Sequence, residues 1–86
     1  MNNIISRTAI DNHVWLITRY LWERYGVDAG NRMISPLNWY ISTGRASVDF
    51  LHKFVAAKPF VIGRILAKGG ADDDILRAIR GRIKAA

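Results

Sequence analysis

The chain has 86 residues, 13 Lys plus Arg against 7 Asp plus Glu for a net charge of +6, an apolar half and no cysteine. A chain this short buries only about 60% of its unfolded surface, which excludes a multidomain enzyme and predicts one compact core. The 23% charged content is too low for intrinsic disorder, and the lack of Cys excludes disulfide staples, thiolate zinc sites and thiol nucleophiles.

The opening Met-Asn-Asn-Ile-Ile-Ser has no basic region, and the longest uncharged run, Met33 to Gly44, contains Pro36. That run is too short to cross a bilayer, so neither export nor membrane insertion is expected, and the cytosol is the expected compartment. A first helix is predicted from Thr8 as N-cap, with Asp11 three residues later, to Gly26. Ile10, Val14, Ile17, Leu21 and Tyr25 recur at helical spacing, while Trp15, Leu16, Tyr20 and Trp22 make the helix apolar over more than one face. Such a helix is central to a bundle or part of a dimer interface. Val27 to Ile34 is ambiguous: Asp28 caps a turn of helix, Gly30 weakens it, and Ser35-Pro36 interrupts it. Ser35 and Pro36 then read as N-cap and first position of a short helix ending at Gly44, with Ile34 stapled on Trp39.

Ser47 opens a third helix to about Ala57, and Pro59 opens a fourth that Gly69-Gly70 closes. Asp72, Asp73 and Asp74 start a fifth, with Arg77, Arg80, Arg82 and Lys84 toward its end, the charge order that the helix dipole favours. No stretch alternates with a period of two, and there is no internal repeat. The expectation is an all-α, small single-domain bundle of four to five short helices spanning residues 1–86.

The charge is divided along this domain. Residues 1–44 carry four basic and three acidic residues, and residues 45–86 carry nine basic and four acidic, so the halves have nets of +1 and +5. Every Trp and Tyr precedes this division and every Phe follows it. The first half reads as a near-neutral aromatic packing platform, the second as a basic working surface.

Within the second half, a very short turn around Ala56 to Lys58 joins the third and fourth helices. Leu51, Val55, Ala57, Ile62 and Ile65 can occupy in order the buried positions of a helix-turn-helix. Residues 47–68 therefore resemble a helix-turn-helix DNA-binding unit, and Gly63-Arg64-Ile65-Leu66 resembles the end of a recognition helix. His52 stands where that family prefers a small alanine, and Ala56 where it places a glycine. On a helical wheel Val61, Ile62, Ile65 and Leu66 share one arc, and Phe60, Gly63, Arg64, Ala67 and Lys68 the opposite one, the reading face. That face offers base edges only Arg64 and Lys68, with Phe60 beside them. The same pattern also fits two ordinary bundle helices joined at a tight corner.

On the last helix, Ile75, Leu76, Ile79 and Ile83 face one way and Arg77, Arg80 and Lys84 the other, a cationic stripe suited to phosphates. The expected function is a small, basic, nucleic-acid-binding regulatory protein, binding DNA in preference to RNA, such as the repressor of a small genetic unit. Lys53, Lys58, Phe60, Arg64, Lys68, Arg77, Arg80 and Lys84 are its candidate contacts to nucleic acid or to an acidic protein surface. The alternative is a non-catalytic inhibitor or adaptor of phage or plasmid type that docks on a host protein. Trp15, Trp22 and Trp39 are candidate interface residues, and a homodimer would use the aromatic surplus.

No catalytic role, metal or cofactor is expected. His13 and His52 have no partner at metal-ligand or relay spacing. The Asp72 to Asp74 triplet is explained by capping, and Asp28-Ala29-Gly30-Asn31 lacks the acid spacing of a calcium loop.

Overall fold

The computed structural model describes residues 5–70 together with Ile75 and Arg77. Over them the fold is all-α, as the periodicity predicts. Its four helices are α1 (Arg7–Tyr25), α2 (Val27–Ser42), α3 (Val48–Ala56) and α4 (Pro59–Ala67), with no strand among the described residues. Of the expected fifth helix, Ile75 and Arg77 are helical; the Asp72 to Asp74 start, Arg80, Arg82 and Lys84 lie outside the described residues.

Helix α1 is the common wall. It packs along α2 most extensively, and α4 and α3 also pack on it, whereas α3 and α4 share a corner without packing along one another. Ile10, His13, Ile17, Thr18 and Leu21 form its buried side. Its N-cap is Ser6, whose hydroxyl accepts from the Ala9 backbone N–H at 3.2 Å. Thr8, the expected cap, lies inside the first turn. The Ser6 cap lets the helix start one residue before Thr8, and Asp11 pairs with Arg7 one turn earlier at 3.1 Å.

A single residue, Gly26, turns α1 back into α2. Its φ of +92° is a conformation that residues with a Cβ rarely adopt. The Trp22 indole N–H then donates to Asn31 Oδ1 at 2.8 Å and ties the two helices together. Gly30, expected to weaken helix, is what lets them approach, since a Cβ there would stand 2.8 Å from Trp22 Cδ1.

The expected break at Ser35-Pro36 is absent, and α2 runs unbroken through Pro36. The proline removes one helical hydrogen bond and crowds the Arg32 carbonyl. Both groups lie on the exposed side, where water can satisfy the freed carbonyl, while Gly30, Ile34, Leu37 and Ile41 bury one continuous apolar face. Burying three large aliphatic side chains, at roughly 1.5–3 kcal/mol each, outweighs the roughly 3 kcal/mol that an interior proline costs. No staple forms, because Ile34 is buried and Trp39 points to solvent.

The remaining boundaries follow local signals. Ser47 caps α3 by accepting from the Phe50 N–H at 3.0 Å, and Pro59 occupies the first turn of α4. Gly44 and Gly69, with φ of +76° and +82°, end α2 and α4 in Schellman motifs. In these the Arg45 N–H reaches the Tyr40 carbonyl at 3.2 Å and the Gly70 N–H reaches the Ile65 carbonyl at 2.9 Å.

The helix-turn-helix burial rhythm is realised only in part, with Leu51, Val55, Ala57 and Ile65 packed against the core but not enclosed. α3 buries Phe50 and Phe54, one residue ahead of the expected Leu51 and Val55, which are half-buried with Ala57 and Ile65; of the five expected positions only Ile62 is fully inside. Phe50 meets Tyr40 edge-on at 5.2 Å and Phe54 meets His13 edge-on at 4.9 Å, so α3 addresses α1 and α2 and not α4. Residues 47–68 thus share a tight corner with that motif but not its helix-on-helix packing.

α4 is seated on α1 through Gly63. Expected on the outer face, Gly63 is buried under the Tyr20 ring, and a Cβ at this position would collide with ring atoms Cδ2 and Cε2. Arg24 lies over that ring, 5.7 Å from its centroid. Gly63→Ala is therefore expected to lower stability by about 1–3 kcal/mol, read as a fall in the urea midpoint at unchanged slope. An exposed helical site would show the opposite sign, because alanine is the better helix former. A midpoint equal to or above that of the parent chain would contradict this seating.

Candidate nucleic-acid interface

Because Gly63 faces inward, the buried arc of α4 is Ile62, Gly63 and Leu66. Phe60, Arg64 and Lys68 then fall four residues apart on the opposite arc, and all three are exposed. Phe60 retains 40% of its accessible surface. The expected outer face is thus corrected at two positions. Gly63 lies under Tyr20, and Ala67 is half-buried beside Met33, Pro36 and Leu66 around a hollow of about 310 Å³ between α2 and α4. What remains outward is a row of one aromatic ring and two cations.

Lys58 lies just before α4 and off the arc of this row. It is the exposed N-cap residue of α4, whose first turn carries no acid, so its charge adds to the positive end of the helix dipole. Among the described residues, ion pairs join Arg7 to Asp11, Arg19 to Glu23 and Lys53 to Asp49, and no carboxylate pairs with Lys58, Arg64 or Lys68. Lys53, a candidate contact, is therefore compensated within its own helix at 3.1 Å, by an acid one turn earlier. Arg77 is helical, exposed and already engaged within the molecule. Arg80 and Lys84, the other members of the expected stripe, lie outside the described residues.

The aromatic candidates separate. Trp15 and Trp22 do share a face, meeting edge-on at 5.4 Å, but Trp22 is half-buried and fixed by Asn31 whereas Trp15 keeps 49% of its surface in solvent. Trp39 stands apart near the end of α2, 55% exposed, with the Arg45 guanidinium 4.8 Å from its ring centroid.

The two histidines also differ. His52 is exposed on α3. His13 is buried at the α1–α3 contact, and its Nε2 has no hydrogen-bond partner among the described residues. Burial pushes its pKa below the ordinary histidine value of 6.5, opposed by a hydrogen bond to the Ala57 backbone. Among the described residues, no group of three or more His, Asp or Glu is placed to hold a metal ion, and no helix is long and apolar enough to cross a membrane. No family model, no curated protein and no solved structure matches the chain.

The His13 shift has a defined sign. The folded pKa lies below the unfolded one, so the unfolded chain binds more protons in the window between them and stability rises with pH there. The contribution is complete above the unfolded value of 6.5 and declines as pH falls through it. Urea unfolding followed from pH 7.5 to about 5.5 should give falling midpoints for the parent chain and a flatter profile for His13→Leu. Equal slopes in the two chains would contradict a neutral buried imidazole.

Proposed function

We propose that the protein binds nucleic acid, double-stranded DNA before RNA, through phosphate contacts made by Arg64 and Lys68 beside Phe60 and by Lys58 at the start of α4. The observation that carries this reading is the exposed row on α4, whose two cations have no carboxylate partner among the described residues, unlike Arg7 and Arg19 of α1 and Lys53 of α3. Polyanions attract such a row by releasing condensed counterions. A nine-residue helix fits the width of the B-DNA major groove, whereas the major groove of A-form RNA is too narrow and deep for side chains to read.

The row carries two cationic donors and one ring, so it positions the protein on phosphates more than it reads bases. This supports binding of broad sequence preference and a regulatory role exerted by occupying DNA.

The docking alternative has its own supporting observation, the 55% exposed Trp39 ring with the Arg45 guanidinium over it. Such a surface suits a partner protein's apolar, acid-edged patch.

Anisotropy titration of a labelled random duplex across a salt series tests the reading. The parent chain should bind at low salt and weaken linearly in log–log form, and each cation removed by Lys58→Ala, Arg64→Ala or Lys68→Ala should reduce the slope by up to about 0.9. Lys53→Ala, which removes a cation already paired with Asp49, should leave it unchanged. Binding by the triple α4 variant equal to that of the parent would overturn the proposal. Loss of cellular function on Trp39→Ala, with no duplex binding by any form, would favour the docking alternative.

A further inference from the structure

The side of α1 turned away from the core carries a pattern that neither the core nor the α4 row uses. Arg7, Asp11, Trp15, Arg19 and Glu23 follow one another at steps of four residues, and all five are exposed. Steps of four place side chains in one oblique ridge on a helix surface. Arg7 and Glu23 are equally far from Trp15 in sequence, as are Asp11 and Arg19, and the members of each couple have opposite charge. A half-turn about an axis through Trp15, perpendicular to the helix, therefore exchanges every cation of the ridge with a carboxylate.

We propose that this ridge is a homodimer interface, in which a second copy of the chain lays its own α1 antiparallel across the first with the two-fold axis at Trp15. A two-fold contact demands a patch complementary to itself, and the order plus, minus, Trp, plus, minus has that property in the antiparallel sense alone. A parallel copy in register would set like charges side by side. With the axis at Trp15, the central couple, Asp11 with the partner's Arg19, lies nearest to it and Arg7 with the partner's Glu23 lies at the rim.

The side chains are already arranged for this contact. Arg7 pairs with Asp11 at 3.1 Å and Arg19 with Glu23 at 3.4 Å along the ridge. The dimer would join these two short pairs of each copy into alternating four-charge lines without removing either. Trp15 is braced edge-on against Trp22, which Asn31 holds in turn, so it loses little rotamer freedom on being covered. Trp15 and Leu16 retain 49% and 47% of their surface, and a second copy would cover the Trp at the axis and the Leu beside it.

A single pair of crossed helices buries less than the roughly 800 Å² per partner of a standard stable interface. The association is therefore concentration-dependent, with a micromolar rather than nanomolar constant, and it weakens with salt because its charges sit at the surface. The ridge belongs to a different helix from the proposed phosphate row, so this inference stands or falls independently of the nucleic-acid reading.

Sedimentation equilibrium of the full chain from micromolar to millimolar concentration at low salt tests it. The parent chain should show a monomer–dimer equilibrium, and Trp15→Ala should weaken it at least about 30-fold, the effect of truncating a central aromatic anchor. Asp11→Arg and Arg19→Asp, each alone, should be monomeric, because each confronts like charges across the axis twice. An equimolar mixture of these two variants should form a heterodimer, since both couples then become opposite in sign, and this recovery also shows that the variants are folded. A parent chain monomeric throughout would overturn the proposal, as would a dimer indifferent to Trp15→Ala and both reversals, or reversals that abolish association without recovery in the mixture. Anisotropy with the random duplex on the same samples reads nucleic-acid binding separately.

Discussion

The contact between the Tyr20 ring and Gly63 governs the arrangement of the molecule. The Cδ2–Cε2 edge of the Tyr20 ring comes so near the α4 backbone that a Cβ has no room there, and Gly63 is the one position in α4 without one. Seating α4 there fixes its rotation about its own axis. Gly63 down against α1 forces Ile62 and Leu66 into the core on either side and turns Phe60, Arg64 and Lys68 outward. The charged row is thus a consequence of a packing contact on its far side.

The same logic extends to α2, where Gly30 accepts Trp22 as Gly63 accepts Tyr20. Two aromatic side chains of α1, two residues apart, each require a glycine on the helix they meet. Between them they bring α2 and α4 close enough for Ile17 and Leu21 to be fully enclosed. α3 is attached differently, through Phe50 and Phe54 against Tyr40 and His13. The price of that attachment is a buried imidazole, whose pKa burial lowers.

Local chemistry made part of this legible in the chain itself. Ser47 as a cap, Pro59 at a helix start, and Gly44 and Gly69 beyond helix ends act through groups within a few residues, and the structure places each boundary where those groups indicate. The continuity of α2 was not legible, because the cost of Pro36 is local whereas the compensation by Ile34, Leu37 and Ile41 requires α1. The helix-turn-helix rhythm is met only in part for a related reason. Leu51 and Val55 match a spacing template, but Phe50 and Phe54 one residue earlier have larger surfaces to bury and aromatic partners on α1 and α2. In the candidate site, Phe60, Arg64 and Lys68 were readable from helical periodicity. The inward turn of Gly63 was not, since nothing within α4 announces Tyr20. The Asp49 to Lys53 pair carries a spacing signal that periodicity of apolar residues alone passes over.

All of this rests on α1 as the wall that every other helix needs. Native-state hydrogen exchange measures that dependence residue by residue. The slowest amides should be those of the buried stretch of α1 around Ile17, Thr18 and Leu21, opening only with global unfolding, while amides of α3 open at lower free energy. Protection that is greatest in α3 or α4, with α1 exchanging through local opening, would contradict a bundle organised around α1.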